Sequence, residues 1–247
     1  MKKHLAGHKK MRLLGIPKLE DANWAGTRNG EKCTLILTEG DSAKALAMAG
    51  IEVVGRDKFG VFPLKGKLLN VRDASNKQLT SNAEIQNITK ILGLQVGKKY
   101  ETQKGLRYGS LMIMADQDHD GSHIKGLIIN FIHHFWPELI KCNNFLKEFI
   151  TPLIKVTKGK DSQSFFTIQD YENWNKSVGT LASKWKVKYY KGLGTSTNKE
   201  GKSYFQDLKK HIIHFEYLNE KDDEAINLAF SKKHVATRKK WVQYYDP

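Results

Sequence analysis

The chain of 247 residues is short of cysteine, short of acid relative to base, and has no apolar run that approaches membrane-spanning length. Each shortage excludes something. The two cysteines, Cys33 and Cys142, show no metal-type spacing, so free thiols in a reducing compartment are expected. With no spanning segment and no cleavable signal visible at the start, a soluble, intracellular chain with no membrane partner is expected. Internal repeats and low-complexity tracts are absent too, which leaves one large or two modest domains with a real core. Against 26 acidic residues stand 41 basic ones, a formal net charge of +15. Such an excess calls for an anionic partner, and nucleic acid is the leading candidate.

The acids that do occur are concentrated. Asp116-Gln117-Asp118-His119-Asp120-Gly121 follows the apolar run Leu111–Ala115, which reads as a central strand, and precedes a helix-like run from Ser122. Carboxylates this close raise one another's pKa unless a cation neutralises them, and the ordinary remedy is a hard divalent ion with oxygen ligands. The same letters begin an EF-hand loop, but such a loop needs a Glu at its twelfth position, where this chain has Leu127, and a helix rather than a strand upstream. A solvated acidic turn is the bland alternative.

Taken in order, residues 1–32 read as a basic linker, rich at first in Lys2, Lys3, Lys9, Lys10 and Arg12 and then loop-like. Cys33–Glu39 is the first convincing strand. Gly40-Asp41-Ser42 then turns into a helix, with Ser or Asp as cap and Gly50 as its end. Ligands sit outside the carboxyl ends of strands in such α/β units, which singles out Glu39, although a capping or surface acid accounts for it equally well. Lys65-Gly66-Lys67, after Phe59–Leu64, is a phosphate-contact candidate, a solvated turn being the alternative. Ser81-x-x-Glu84 forms a capping box for a helix that Gly93 ends. Ile124, Leu127, Ile128, Phe131, Ile132 and Phe135 form the buried stripe of a helix over 122–139. On that helix the neighbours His133 and His134 point about 100° apart, so they are poor co-ligands and are expected on the surface.

Beyond Pro152 the pattern changes to a hairpin of 153–157 with 165–168, then a strand through Trp185, Val187 and Tyr189 with a basic face. Lys191-Gly192-Leu193-Gly194-Thr195-Ser196 lacks the end of a P-loop and is only weak support for a phosphate cradle. Thr197-x-x-Glu200 caps another helix, and the tail from about Asp222 is helical, with Arg238 and Lys239 in a basic patch near Trp241. If the strands ending at Glu39 and Ala115 are neighbours in one parallel sheet, Glu39, Asp116, Asp118 and Asp120 meet over one crevice beside Lys65 and Lys67. That combination reads as metal-assisted phosphoryl transfer on nucleic acid.

Glu39-Gly40-Asp41-Ser42-Ala43, followed by Asp116-x-Asp118-x-Asp120-Gly121-Ser122-His123-Ile124, is similar to the TOPRIM signature. Ile16–Asn23, Thr34–Lys44, Lys188–Thr197 and Leu228–Lys233 extend the resemblance to the eukaryotic type IIA DNA topoisomerases. The bacterial gyrase subunit shares the acidic core, but its text after Asp41-Ser42-Ala43 is Gly-rich, unlike Lys44-Ala45-Leu46-Ala47.

The resemblance implies an α/β fold with a TOPRIM (Rossmann-like) central parallel sheet and flanking helices over residues 33–150. A C-terminal α+β extension over 151–247 would lead toward a breakage domain. It implies an ATP-driven enzyme that cleaves, passes and religates double-stranded DNA, nuclear and homodimeric as a whole. The metal would be Mg²⁺, for which Mn²⁺ or Ca²⁺ can substitute. Glu39, Asp116 and Asp118 match the metal ligands and Asp120 a supporting acid. Lys67 and Asn70 match DNA contacts beside the cleaved bond, while Arg238 and Lys239 match contacts of the segment leading on. Lys65 stands where the family has Arg and His119 where it commonly has Gln; Lys keeps the charge but loses the planar fork. The resemblance also implies that the ATP-binding domain and the nucleophilic tyrosine lie outside this chain. Tyr108, though preceded by Arg107, sits at the entry to the acidic strand, in the place of a structural tyrosine of the family, and is not expected to be the nucleophile. Two other readings remain: a self-sufficient TOPRIM nuclease or primase-like enzyme, and a non-catalytic DNA-binding scaffold.

Overall fold

In the computed structural model, which describes Leu13 and residues 15–244, the chain builds a five-stranded and a three-stranded sheet. β1 (Thr34–Glu39) is buried along all but its last residue. It turns at Gly40, in the left-handed region at φ +77, into α1 (Gly40–Val54). Neither Asp41 nor Ser42 caps this helix, and Gly50 does not end it: α1 runs on to Val54, and Gly55 is its C-cap. Gly50 is instead a contact point, since a Cβ there would lie 2.6 Å from Cε2 of Phe205.

After β2 (Phe59–Leu64) come α2 (Asn76–Ser81) and α3 (Ala83–Leu92). The expected Ser81 box is not the cap of α3. Asn82 accepts from the Ile85 N–H at 3.0 Å, and Glu84 accepts from the Lys65 N–H at 2.6 Å. Gly93, at φ +77, ends the helix as expected. β3 (Ser110–Met114) leads into α4 (His119–Phe135), and a separate short α5 (Pro137–Ile140) follows. The single helix expected to Leu139 is broken because Pro137 cannot donate into it.

β4 (Leu146–Phe149) completes the parallel part of the large sheet. The chain then builds β5 (Ile154–Lys158), β6 (Asp161–Phe165), α6 (Ile168–Val178) and β7 (Lys186–Tyr189). Gly159, at φ +61, allows β5 and β6 to meet across a tight turn. The second hairpin strand therefore comes earlier than expected, and Ile168 begins a helix. α7 (Asn198–Gln206) has the predicted capping box of Thr197 and Glu200. β8 (Ile212–His214), α8 (Glu220–Phe230) and α9 (Val235–Gln243) complete the chain.

The large sheet has the order β2-β1-β3-β4-β8, with β8 antiparallel to β4 and the other neighbours parallel. Alternate residues of its strands sort to opposite faces. Leu35, Leu37, Leu111 and Ile113 pack with Ile88 and Ile91 of α3 and with Ile124, Ile128 and Phe131 of α4. Ile36, Met112 and Met114 face Ala43, Leu46 and Ala47 of α1 and Tyr204 and Phe205 of α7. Helices on both faces of a mostly parallel sheet make the predicted α/β architecture. The small sheet has its own core of Ile154, Val156 and Phe165, with Trp174 and Trp185 against it.

Two boundaries differ from the sequence reading. Residues 16–32 are irregular but integrated rather than a linker: Ala22 and Ala25 are fully buried, and Asp21 pairs with Arg107 at 2.6 Å. Lys2, Lys3, Lys9, Lys10 and Arg12 lie outside the described residues. The division at 150/151 falls between two sheets, yet the later segment returns β8 and α7 to the first.

Candidate metal and nucleic-acid site

β1 and β3 are parallel neighbours, with Thr38 opposite Met114. Glu39 and Asp116 therefore leave the sheet at the same edge. There Glu39 Oε2 accepts a hydrogen bond from the Asp116 N–H at 3.0 Å. Burial raises the Glu39 carboxyl above its usual range; the Asp116 N–H opposes this, and the charges of Asp116, Asp118 and Asp120 raise it further. Those influences place all four acids in one electrostatic neighbourhood. Glu39 makes no cap bond to α1, so a capping role does not account for it.

The turn that carries the aspartates is fixed from several sides. Asp118 is the N-cap of α4, accepting from the Gly121 N–H at 2.7 Å. Gly121 lies so close to the backbone of Asp116 that a Cβ would stand 2.9 Å from its carbonyl carbon. Asp116 Oδ1 accepts from the Leu193 N–H at 2.7 Å. Asp120 Oδ1 pairs with Lys67 Nζ at 2.7 Å.

Each of the four carboxylates thus gives one oxygen to the protein. Among the described residues the second oxygen of each carries no hydrogen bond. An all-oxygen, anionic donor set of this kind suits Mg²⁺ rather than a softer metal. Among the described residues no three such groups already converge on one point, so an ion would have to draw the side chains inward. The donor chemistry fits: four carboxylates, with oxygen ligands only, are what a hard divalent ion takes.

The residues expected to contact DNA lie in different settings. Lys65 follows β2 directly, and β2 pairs with β1 in parallel, so Lys65 and Lys67 emerge at the same sheet edge as the acids. The Asn70 amide is used internally: it donates to Phe230 O at 2.8 Å and accepts from Asn130 Nδ2 at 2.9 Å. Arg238 donates to Leu228 O at 2.7 Å and Ser231 O at 3.3 Å, closing the end of α8, whereas Lys239 is exposed.

His133 is not the surface residue that its sequence position suggests. It is buried, with Nδ1 2.8 Å from Arg72 Nη2 and Nε2 2.6 Å from Asp223 Oδ1. A guanidinium only donates, so Nδ1 accepts and the Nε2–H donates to the carboxylate. Arg72 also donates to Asn130 Oδ1 at 2.9 Å and Asn227 Oδ1 at 2.5 Å, so one polar network binds the turn after β2 to α4 and α8. Nothing local marks these residues, which come from distant segments.

Tyr108 is fully buried; its hydroxyl donates to Asp21 Oδ1 at 2.6 Å and accepts from the Ala22 N–H at 2.8 Å. Burial first, then the Asp21 charge, raises its phenol well above the ordinary range. A structural role fits it and a nucleophilic one does not. Gly192 and Leu193, which the sequence offers only as weak support for a phosphate cradle, have their backbone against Asp116, a contact that no local pattern announces.

Comparison with known proteins agrees with this fold. A family model described as "Toprim domain" matches residues 34–152, and one described as "C-terminal associated domain of TOPRIM" matches residues 149–247. DNA topoisomerase 2 of Pisum sativum is 62% identical over 242 residues, covering 98% of this chain and 16% of that protein. DNA topoisomerase 2 of Plasmodium falciparum is 60% identical over 247 residues, covering 99% of this chain and 18% of the relative. The crystal structure of the Plasmodium falciparum topoisomerase II DNA-binding, cleavage and re-ligation domain superposes with a TM-score of 0.92 at 60% identity. That match covers 95% of this chain and 32% of the solved one. The chain thus spans less than a fifth of the length of these curated relatives. With the two models tiling the described fold from β1 onward, the chain belongs to the eukaryotic type II DNA topoisomerases, as their Toprim domain and its C-terminal associated domain.

Proposed function

We propose that this chain is the metal-holding part of a type II DNA topoisomerase that cleaves, passes and religates double-stranded DNA. Glu39, Asp116 and Asp118 would hold Mg²⁺, or Mn²⁺ or Ca²⁺ in its place, with Asp120 in support. The observation that carries the reading is the meeting of Glu39 with Asp116 across neighbouring parallel strands. When bound, the ion would stabilise charge on a phosphodiester and its leaving oxygen. The chain's own part is positional. The Asp116 N–H orients Glu39, the Gly121 N–H orients Asp118, and Lys65 and Lys67 supply positive charge at the same edge. ATP hydrolysis, the nucleophilic tyrosine and the homodimer contacts belong, on this reading, to other parts of the enzyme, which acts in the nucleus. Asn70, Arg238 and Lys239 would assist DNA binding, Asn70 and Arg238 chiefly by shaping the surface, given their internal bonds.

The test is Mn²⁺ binding by the purified chain, read as loss of the free-ion EPR signal, together with plasmid cleavage by the complete enzyme. Glu39→Gln should weaken Mn²⁺ binding and abolish cleavage, while the chain alone cleaves nothing and hydrolyses no ATP. Full activity in the complete Glu39→Gln enzyme would leave the acids a scaffold's role, and nicking by the pure chain would make it a nuclease.

A further inference from the structure

The turn between β7 and α7 has no assigned task. Leu193 is buried among residues of α1, β3 and α7. Its N–H reaches out of that core to Asp116 Oδ1 at 2.7 Å. The preceding residue lies closer still: a Cβ on Gly192 would stand 2.7 Å from Asp116 Cγ and 2.9 Å from Oδ1, inside any real contact distance. The backbone of Gly192 is extended (φ 177), so its conformation does not demand glycine. The proximity of the carboxylate does. Gly194, two residues on, is the opposite case, with nothing within 4 Å of its Cβ position.

The turn is itself held. Thr197 and Glu200 form the capping box of α7, and Glu200 also accepts from the Tyr190 hydroxyl and from Lys188 Nζ, the latter at 3.0 Å. α7 in turn is seated on α1, where a Cβ at Gly201 would come 2.5 Å from Leu46 Cδ1. A chain of contacts therefore runs from the α1–α7 interface through Glu200 to the carboxylate of Asp116.

We infer that Gly192 and the Leu193 N–H are positioning elements for the Asp116 carboxylate, so that the C-terminal associated domain sets the aim of a metal ligand in the Toprim domain. A hydrogen-bond donor behind a ligating carboxylate fixes its rotamer, and losing such a partner typically costs about 10- to 100-fold in metal affinity. The inference rests on the metal reading of the preceding section, and its test separates the two.

Gly192→Ala and Gly194→Ala are compared in the purified chain by Mn²⁺ titration followed by EPR. Gly192→Ala should weaken binding about 10- to 100-fold, and Gly194→Ala should match the unmodified chain. Equal affinity in all three overturns the inference and leaves the metal reading standing. The second measurement needs no metal and no substitution at the glycine: the Leu193 amide resonance in ¹⁵N spectra should move markedly in Asp116→Asn, while the Gly194 amide moves little. An unmoved Leu193 amide overturns the inference even if the chain binds no Mn²⁺ or Gly192→Ala does not fold. If the chain binds no Mn²⁺ but the amide moves, the metal reading alone falls and the coupling of the turn to Asp116 stands.

Discussion

Lys67 Nζ lies 2.7 Å from Asp120 Oδ1, tying the turn after β2 to the first turn of α4. The two side chains are 46% and 70% exposed, so water screens the pair and it adds almost nothing to stability. On the function proposed above, the pair would matter for binding: Lys67 would exchange Asp120 for a DNA phosphate. Lys67→Ala should leave the thermal midpoint unmoved and reduce the salt slope of DNA binding by about 1. Asp120→Asn should tighten binding at low salt. Fluorescence anisotropy over a salt series checks both, and an unchanged slope in Lys67→Ala would separate Lys67 from the phosphates.

Gly50 and Phe205 make a second prediction, in which two effects oppose each other. Alanine in a helix interior is favoured over glycine by about 1 kcal/mol. Forcing a methyl against the root of a buried ring costs roughly 1–3 kcal/mol. Phe205 is 1% exposed and packed against Phe59 and Phe149, so its ring has little freedom to yield. Gly50→Ala should therefore lower the urea midpoint without changing the slope. A raised midpoint would mean that α7 slides on α1 more easily than its packing indicates.

Glu200 gives a pH signature. Burial raises its carboxyl, but the bonds from the Thr197 N–H, the Tyr190 hydroxyl and Lys188 outweigh it and bring the pKa to about 2. The folded value lies below the ordinary 4.5, so the carboxylate's stabilisation is complete above that pH. It is lost as pH falls toward about 2. The stability gap between the unmodified chain and Glu200→Gln should be constant at neutral pH and shrink through this acid window. Urea denaturation at a series of pH values measures it; a gap that stays constant to pH 2 would contradict the shift.

Much of this was legible in the sequence, for identifiable reasons. The strand-then-acid pattern at Glu39 and Asp116 survives because buried parallel strands are read by composition and length, and the sheet order then brings their ends together. The capping box at Thr197 held for the same local reason. What failed was decided by distant partners. Gly50 looks like a stop until Phe205 is placed over it, and His133 looks exposed until α8 covers it. Ser81 and Glu84 satisfy the spacing of a capping box, but Asn82 is nearer the helix and Glu84 is drawn to Lys65. Gly192 and Leu193 carry a weak motif whose meaning depends wholly on a carboxylate in another part of the chain.

The return of β8 to the edge of β4 has a consequence for how such proteins can be recombined. Two family descriptions meet near residue 150, which invites a splice there. A chimera joined at that point would import, with its foreign C-terminal segment, the outer strand of the host sheet and the cover of α1. The donor would also supply the backbone behind Asp116, so a graft meant to change only the extension would exchange one wall of the acidic crevice as well.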